Sequence, residues 1–126
     1  EQWVEIEELI GKYEKSRSLP DLTFEDNTFQ KTGDDTLKAQ AYNEGPIASL
    51  PCSVLFETDE DEDDDWESVG RYWIWLGLRS GQKKWTESNE ITDTGQIKCR
   101  ATINPSGNVP ESDYDNNQVE DTFTFS

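Results

Sequence analysis

QIKCRATI, residues 96–103, is the stretch on which the fold turns. Ile97, Cys99, Ala101 and Ile103 alternate with Lys98, Arg100 and Thr102, and a period of two puts the first set on one side of an extended chain and the second on the other. A helix would scatter both sets around its circumference. The stretch reads as a strand with one dry face and one wet face, the pattern of an antiparallel sheet laid over a core.

The same alternation recurs on both sides of it. DLTFEDNTF (21–29), TLKAQAY (36–42), SVLFE (53–57), RYWIWLGL (71–78), KWTESNE (84–90) and QVEDTFTF (118–125) are short, rich in β-branched and aromatic residues, and separated by turn residues. Parity groups Leu37, Ala39 and Ala41 in one strand, Cys52, Val54 and Phe56 in another, and Val119, Phe123 and Phe125 in the last. Seven such strands predict an all-β antiparallel sandwich over residues 19–126. Before it, EQWVEIEELIGKYEKSRS (1–18) carries Trp3, Ile6, Leu9, Ile10 and Tyr13 at helical spacing. An amphipathic N-terminal helix is expected there, either packed on the sandwich or used for self-association.

Composition narrows the functional classes. The 126 residues suit one domain, and five Trp, four Tyr and five Phe supply a core despite a hydrophobic content of only 32%. Net charge is -17, from 28 acidic and 11 basic residues. Such a field repels nucleic acid and anionic lipid headgroups, because a phosphate-binding protein must supply cations to displace counterions. No apolar run approaches the roughly 20 residues of a membrane-spanning helix. The chain does not open with Met, so a fragment or processed product of a longer protein is expected.

Three short patterns carry a family resemblance. Pro20-Asp21-Leu22 opens the first strand, Asn43-Glu44-Gly45 closes the second, and INPSGNVPESDYDNN (103–117) joins the last two strands. In that order they resemble the CARDB family of bacterial and archaeal surface modules, related to the APHP domains. The resemblance implies an immunoglobulin-like sandwich that works without catalysis in adhesion, spacing or interaction. It also implies an extracellular or cell-surface location and a protein or glycan partner. In physical terms, Asn104-Pro105 turns the chain, Gly107-Asn108 permits positive φ, and Asn116-Asn117 caps backbone groups. Glu111, Ser112, Asp115 and Asn117 are expected to hold the connection by side-chain hydrogen bonds. Its second reading is a cation site built from Glu111, Asp113 and Asp115.

Candidate chemistry is sparse. The chain has no His, which removes the usual general base and the Ser-His-Asp and Cys-His arrangements, and it reads as non-enzymatic. Trp73, Trp75 and Trp85 are the ligand-binding candidates. Alternation sets Trp73 and Trp75 opposite Tyr72, Ile74 and Leu76; facing inward the two indoles are central packing, the favoured reading for aromatics in half-buried strands. Facing outward they form a carbohydrate platform with Trp85.

The run ETDEDEDDDWES (57–68) sets Asp59, Asp61, Asp63 and Asp65 at the spacing of EF-hand ligands. Asp64 stands where the loop needs Gly, however, and Gly70 where it needs a bidentate Glu. A hydrated loop is expected, with a weak Ca²⁺ site as its alternative and no cofactor required. Cys52 and Cys99 fall on inward rows of different strands; they are two buried thiols or one disulfide, and the extracellular setting implied by the resemblance favours the bond.

Overall fold

The computed structural model describes residues 19–126, and the helix expected over 1–18 lies outside them. The described residues form eight strands: β1 (Leu22–Phe24), β2 (Gln30–Lys31), β3 (Leu37–Asn43), β4 (Cys52–Asp59), β5 (Glu67–Ile74), β6 (Lys83–Glu87), β7 (Gly95–Ile103) and β8 (Gln118–Phe125). They make two antiparallel sheets. In one, β3 is central, with β6 along one edge and β1 and β2 end to end along the other. The second sheet runs β5-β4-β7-β8.

DLTFEDNTF is thus one edge strand broken in the middle. Asn27 adopts φ 62°, and the Thr28 hydroxyl donates to the Glu25 carbonyl while accepting the Gln40 N–H. A side chain stands in for the ladder where the backbone leaves it. The seven strands expected from the sequence become eight because this break divides the first.

The alternation of β3, β4 and β7 places Leu37, Ala39, Ala41, Val54, Phe56, Ile97, Ala101 and Ile103 between the sheets. Leu22, Phe24, Ile74 and Phe125 join them from the flanking strands. Asn43 ends β3 fully buried, where its amide donates to the Ile47 and Leu78 carbonyls and its oxygen accepts the Asp21 and Gly45 N–H groups. All four capacities of the amide are used to tie three loops together. Gly45 is required beside it, because a Cβ there would lie 2.5 Å from the Asp21 nitrogen.

RYWIWLGL departs from the expected strand. β5 begins earlier, at Glu67, and ends at Ile74, after which Gly77 closes a turn by donating to the Ile74 carbonyl. Gly77 sits at φ +66°, and a Cβ would meet the Ser49 carbonyl oxygen. The register of β4 against β5 also shifts between Phe56 and Glu57, a bulge beside Gly70. The inward residues of β5 are Tyr72 and Ile74, so Trp73 and Trp75 face outward and the expectation that they form the central packing is corrected. β5 is an edge strand with an uncovered outer face.

The disulfide expectation is corrected as well. Both cysteines are free and buried on the inner face of the same sheet. Cys99 pairs opposite Thr58, six residues along β4 from Cys52. At ~3.3 Å per residue that is roughly 20 Å, whereas a disulfide needs Cα atoms within about 7 Å. Burial pushes the Cys52 thiol up to about 11 and the Cys99 thiol up to about 12, so both persist as inert neutral packing groups.

Candidate functional site

The free edges of the two sheets, β5 and β6, run beside each other on one side of the sandwich. Positions 71, 73 and 75 follow the strand period and stack their side chains along it. The Arg71 guanidinium lies 5.6 Å from the Trp73 ring centroid, and the Trp73 and Trp75 centroids are 5.2 Å apart at an interplanar angle of 19°. This ladder ends in an uncovered indole: Trp75 is 71% exposed, against 49% for Trp73. Leu76, at the turn that follows, is 95% exposed.

Beneath the ladder a groove of about 310 Å³ is lined by Tyr72, Trp73, Trp75 and Leu76 from one sheet and by Gln82 and Lys84 from around β6. Exposed indoles beside an amide and an ammonium are a surface that binds, since large aromatics left in water are otherwise buried in cores or interfaces. Trp85 stands apart from this groove. It belongs to β6 and lines a neighbouring hollow with Lys38, Tyr72, Thr86 and Glu87. The Lys38 ammonium lies 4.9 Å from its ring. Trp73 and Trp75 are therefore brought together, while Trp85 shares only Tyr72 with them and no single three-ring plane is formed.

The carboxylate candidates separate into committed and uncommitted groups. Asp59, buried at the end of β4, accepts the Asp63 N–H on Oδ1 and the Asp64 N–H on Oδ2 at 2.8 Å. It closes the acidic loop as a turn-former. Asp61, Asp63 and Asp65 are exposed, with Asp63 Oδ1 accepting the Asp65 N–H. A small hollow of about 40 Å³ is lined entirely by carboxylates, among them Asp59, Glu60, Asp63 and Glu67. Glu60 reaches across to Asp93, and the hydrogen bond between their carboxyls raises Glu60 to about 7. Among the described residues no three acidic or Cys side chains converge as a metal-holding group.

Glu111 turns inward. Its Oε1 accepts the Leu22 N–H at 2.7 Å, and its Oε2 accepts the side-chain amides of Asn104 at 2.7 Å and Asn117 at 2.6 Å. Burial pushes its carboxyl above the ordinary range, and these donors pull partly back. Asn104, at φ 53°, also donates to the Val109 carbonyl and accepts the Val109 N–H, while Asn117 donates to the Ile103 carbonyl. Asp113 and Asp115 stay exposed, with Asp113 Oδ1 accepting the Asp115 N–H. The three residues of the second cation reading are thus divided between the interior and the solvent. Asp115 and Ser112 do not use their side chains to hold the connection; Ser112 contributes its backbone N–H, donated to the Pro20 carbonyl.

Arg71, Gln82 and Lys84 were not candidates from sequence. The pattern Arg-x-Trp-x-Trp at 71–75 carries a signal for the first, since alternate residues of a strand share a face. Nothing local marks Gln82 and Lys84, which reach the groove only because β6 lies beside β5.

A two-sheet antiparallel sandwich with these connections defines the immunoglobulin-like class. Within it the fold is CARDB-like. A crystal structure of the CARDB domain of the PF1109 protein from Pyrococcus furiosus, in complex with di-metal ions, matches with a TM-score of 0.60 at 18% identity, covering 85% of this chain and 94% of that one. The solution NMR structure of the same domain gives a TM-score of 0.62 at 18% identity, over 85% and 95% of the two chains. Part of β-glucosidase 3B from Thermotoga neapolitana, in complex with glycerol, aligns at 15% identity over 83% of this chain and 16% of the enzyme. Its TM-score of 0.47 is too loose a likeness to carry a catalytic reading. No protein-family model matches the sequence, and no curated protein matches it.

Proposed function

We propose that this domain is a non-catalytic binding module of a secreted or cell-surface protein, engaging a glycan through the Trp73–Trp75 ladder. The exposed, stacked pair carries the reading. A folded domain gains by burying indoles, and a Trp left 71% exposed over a groove has no packing role to explain it. The open face of Trp75 suits the C–H face of a pyranose ring, and Gln82 and Lys84 stand within the same groove to meet its hydroxyls. The CARDB-like fold supports a module that displays such a patch on a rigid strand.

Titration of the intact chain with a panel of neutral and acidic oligosaccharides, read by intrinsic Trp fluorescence, tests this. Binding is expected for at least one glycan, and Trp75→Ala is expected to weaken it at least ~10-fold, the loss typical of an interface hot spot, with an unchanged melting temperature. Silence across the whole panel removes the reading.

A second reading concerns the carboxylate-lined hollow, and it borrows support from the metal ions in the PF1109 domain. Closing the acidic loop around Ca²⁺ would stiffen the β4–β5 end, at the weak affinity of extracellular modules, about 10⁻⁴ to 10⁻³ M.

A further inference from the structure

β5 joins two regions of opposite character. Its first residue, Glu67, adjoins the acidic run, and its last, Ile74, lies between Trp73 and Trp75. The strand separates them by roughly 20 Å at ~3.3 Å per residue. At physiological ionic strength the Debye length is about 8 Å, so the carboxylates of the run are largely screened at the groove. What governs a ligand there is the local charge.

That local charge is positive. In a chain with 28 acidic residues, the groove is lined by Lys84 and no carboxylate. Arg71 caps the ladder, and its Nη1 donates to the Ser53 hydroxyl rather than to an acid. Lys38 lies over Trp85 in the neighbouring hollow. The described residues contain three ion pairs, Lys31–Asp35, Lys83–Glu25 and Arg100–Glu57, and none of them uses Lys38, Arg71 or Lys84. Glu87 is the one acid in the neighbouring hollow, and it accepts a hydrogen bond from the Thr36 hydroxyl.

We infer that the groove selects an acidic polysaccharide, one bearing carboxylate-substituted sugar rings, over a neutral one. The inference rests on the glycan reading above and adds the class of glycan. A uronate ring stacked on the open face of Trp75 places its ring-borne carboxylate at the rim of the groove, where Lys84 supplies a compact cation and Arg71 a planar one. The hydroxyls are left for Gln82. The charge of such a chain is sparse, one carboxylate per ring, so it meets two or three cations locally without the dense counterion displacement that nucleic acid demands.

The test uses the intact chain with oligogalacturonate as the acidic probe and cello-oligosaccharide of equal length as the neutral one, by calorimetry at two NaCl concentrations. Oligogalacturonate is expected to bind ~10-fold more tightly at low salt, and the advantage is expected to shrink towards parity near 0.5 M NaCl as screening shortens. Lys84→Gln with Arg71→Gln should abolish the preference and leave neutral binding in place. Lys98→Gln, which removes a cation seated over Trp66 rather than at the groove, should leave the preference intact. Equal binding of the two probes, or tighter neutral binding, overturns the acidic assignment while the glycan reading stands. Binding of neither overturns both. A Lys98→Gln loss as large as that of Lys84→Gln also overturns it, since the effect would then be one of total charge.

Discussion

Two loops of this domain are built from the same residue types and behave as opposites. The acidic loop between β4 and β5 and the long connection between β7 and β8 are both crowded with Asp, Glu and Ser or Asn. In the second, one carboxylate is buried and meets three donors: Glu111 joins the start of β1 to Asn104 and Asn117 at the two ends of the connection. In the first, the only buried acid is Asp59, which holds two backbone N–H groups of its own loop and nothing beyond it. A carboxylate organises a fold when its partners come from distant parts of the chain. Its number of neighbours in sequence does not matter.

Removing the two anchors should show this difference most sharply. Glu111→Ala leaves three buried or half-buried donors without an acceptor and is expected to cost about 3 to 5 kcal/mol in chemical denaturation. Asp59→Ala should cost only about 1 to 2 kcal/mol, with faster amide exchange confined to residues 60–66. Equal losses would erase the distinction between the loops.

An intermediate effect is expected from pH. The Glu111 carboxyl titrates above its ordinary value in the folded state, chiefly through burial, so over the window between those values the native state holds a proton that the unfolded chain has lost. Stability therefore falls as pH rises through that window, and below the ordinary value the contribution vanishes because both states are protonated. Glu60, raised to about 7 by Asp93, acts with the same sign between its ordinary value and about 7. Denaturation midpoints should decline from pH 5 to pH 8. Glu111→Gln and Glu60→Gln should each flatten part of the decline, which separates them from the general relief of charge repulsion. A decline of equal slope in both variants would assign it to net charge alone.

The smallest effect belongs to the exposed acids. Replacing Asp61, Asp63 and Asp65 together by Ser should move stability by no more than about 0.5 kcal/mol, as for surface changes without partners. The same triple variant tests the Ca²⁺ reading. Millimolar Ca²⁺ should raise the melting temperature of the natural chain and leave that of the variant unchanged; no rise in the natural chain removes the reading.

Much of the fold was legible because alternation is a local property. The inward rows of β3, β4 and β7 follow from parity alone, and the Asn43-Glu44-Gly45 and 103–117 patterns mark the two polar hubs. Parity does not say which of two faces meets the core. On β5 both rows are apolar, and the outer one went to water because no element covers that edge. Register is equally non-local: Cys52 and Cys99 lie on the correct rows, six positions out of step. The groove was half legible, since Trp73 and Trp75 were candidates from the start, whereas Lys84 and Gln82 come from another sheet.

The broken edge strand carries a consequence of another kind. A continuous, straight β1–β2 would offer nine residues of unpaired backbone along β3's outer neighbour, a template on which a second molecule could lay its own strand. The kink at Asn27 and the inserted Thr28 hydroxyl cut that template into pieces of three and two residues. Pieces so short cannot hold an invading strand. On this flank the domain is guarded against fibre-like growth by a single misaligned turn, and straightening it would cost the molecule its ability to stay apart from its own copies.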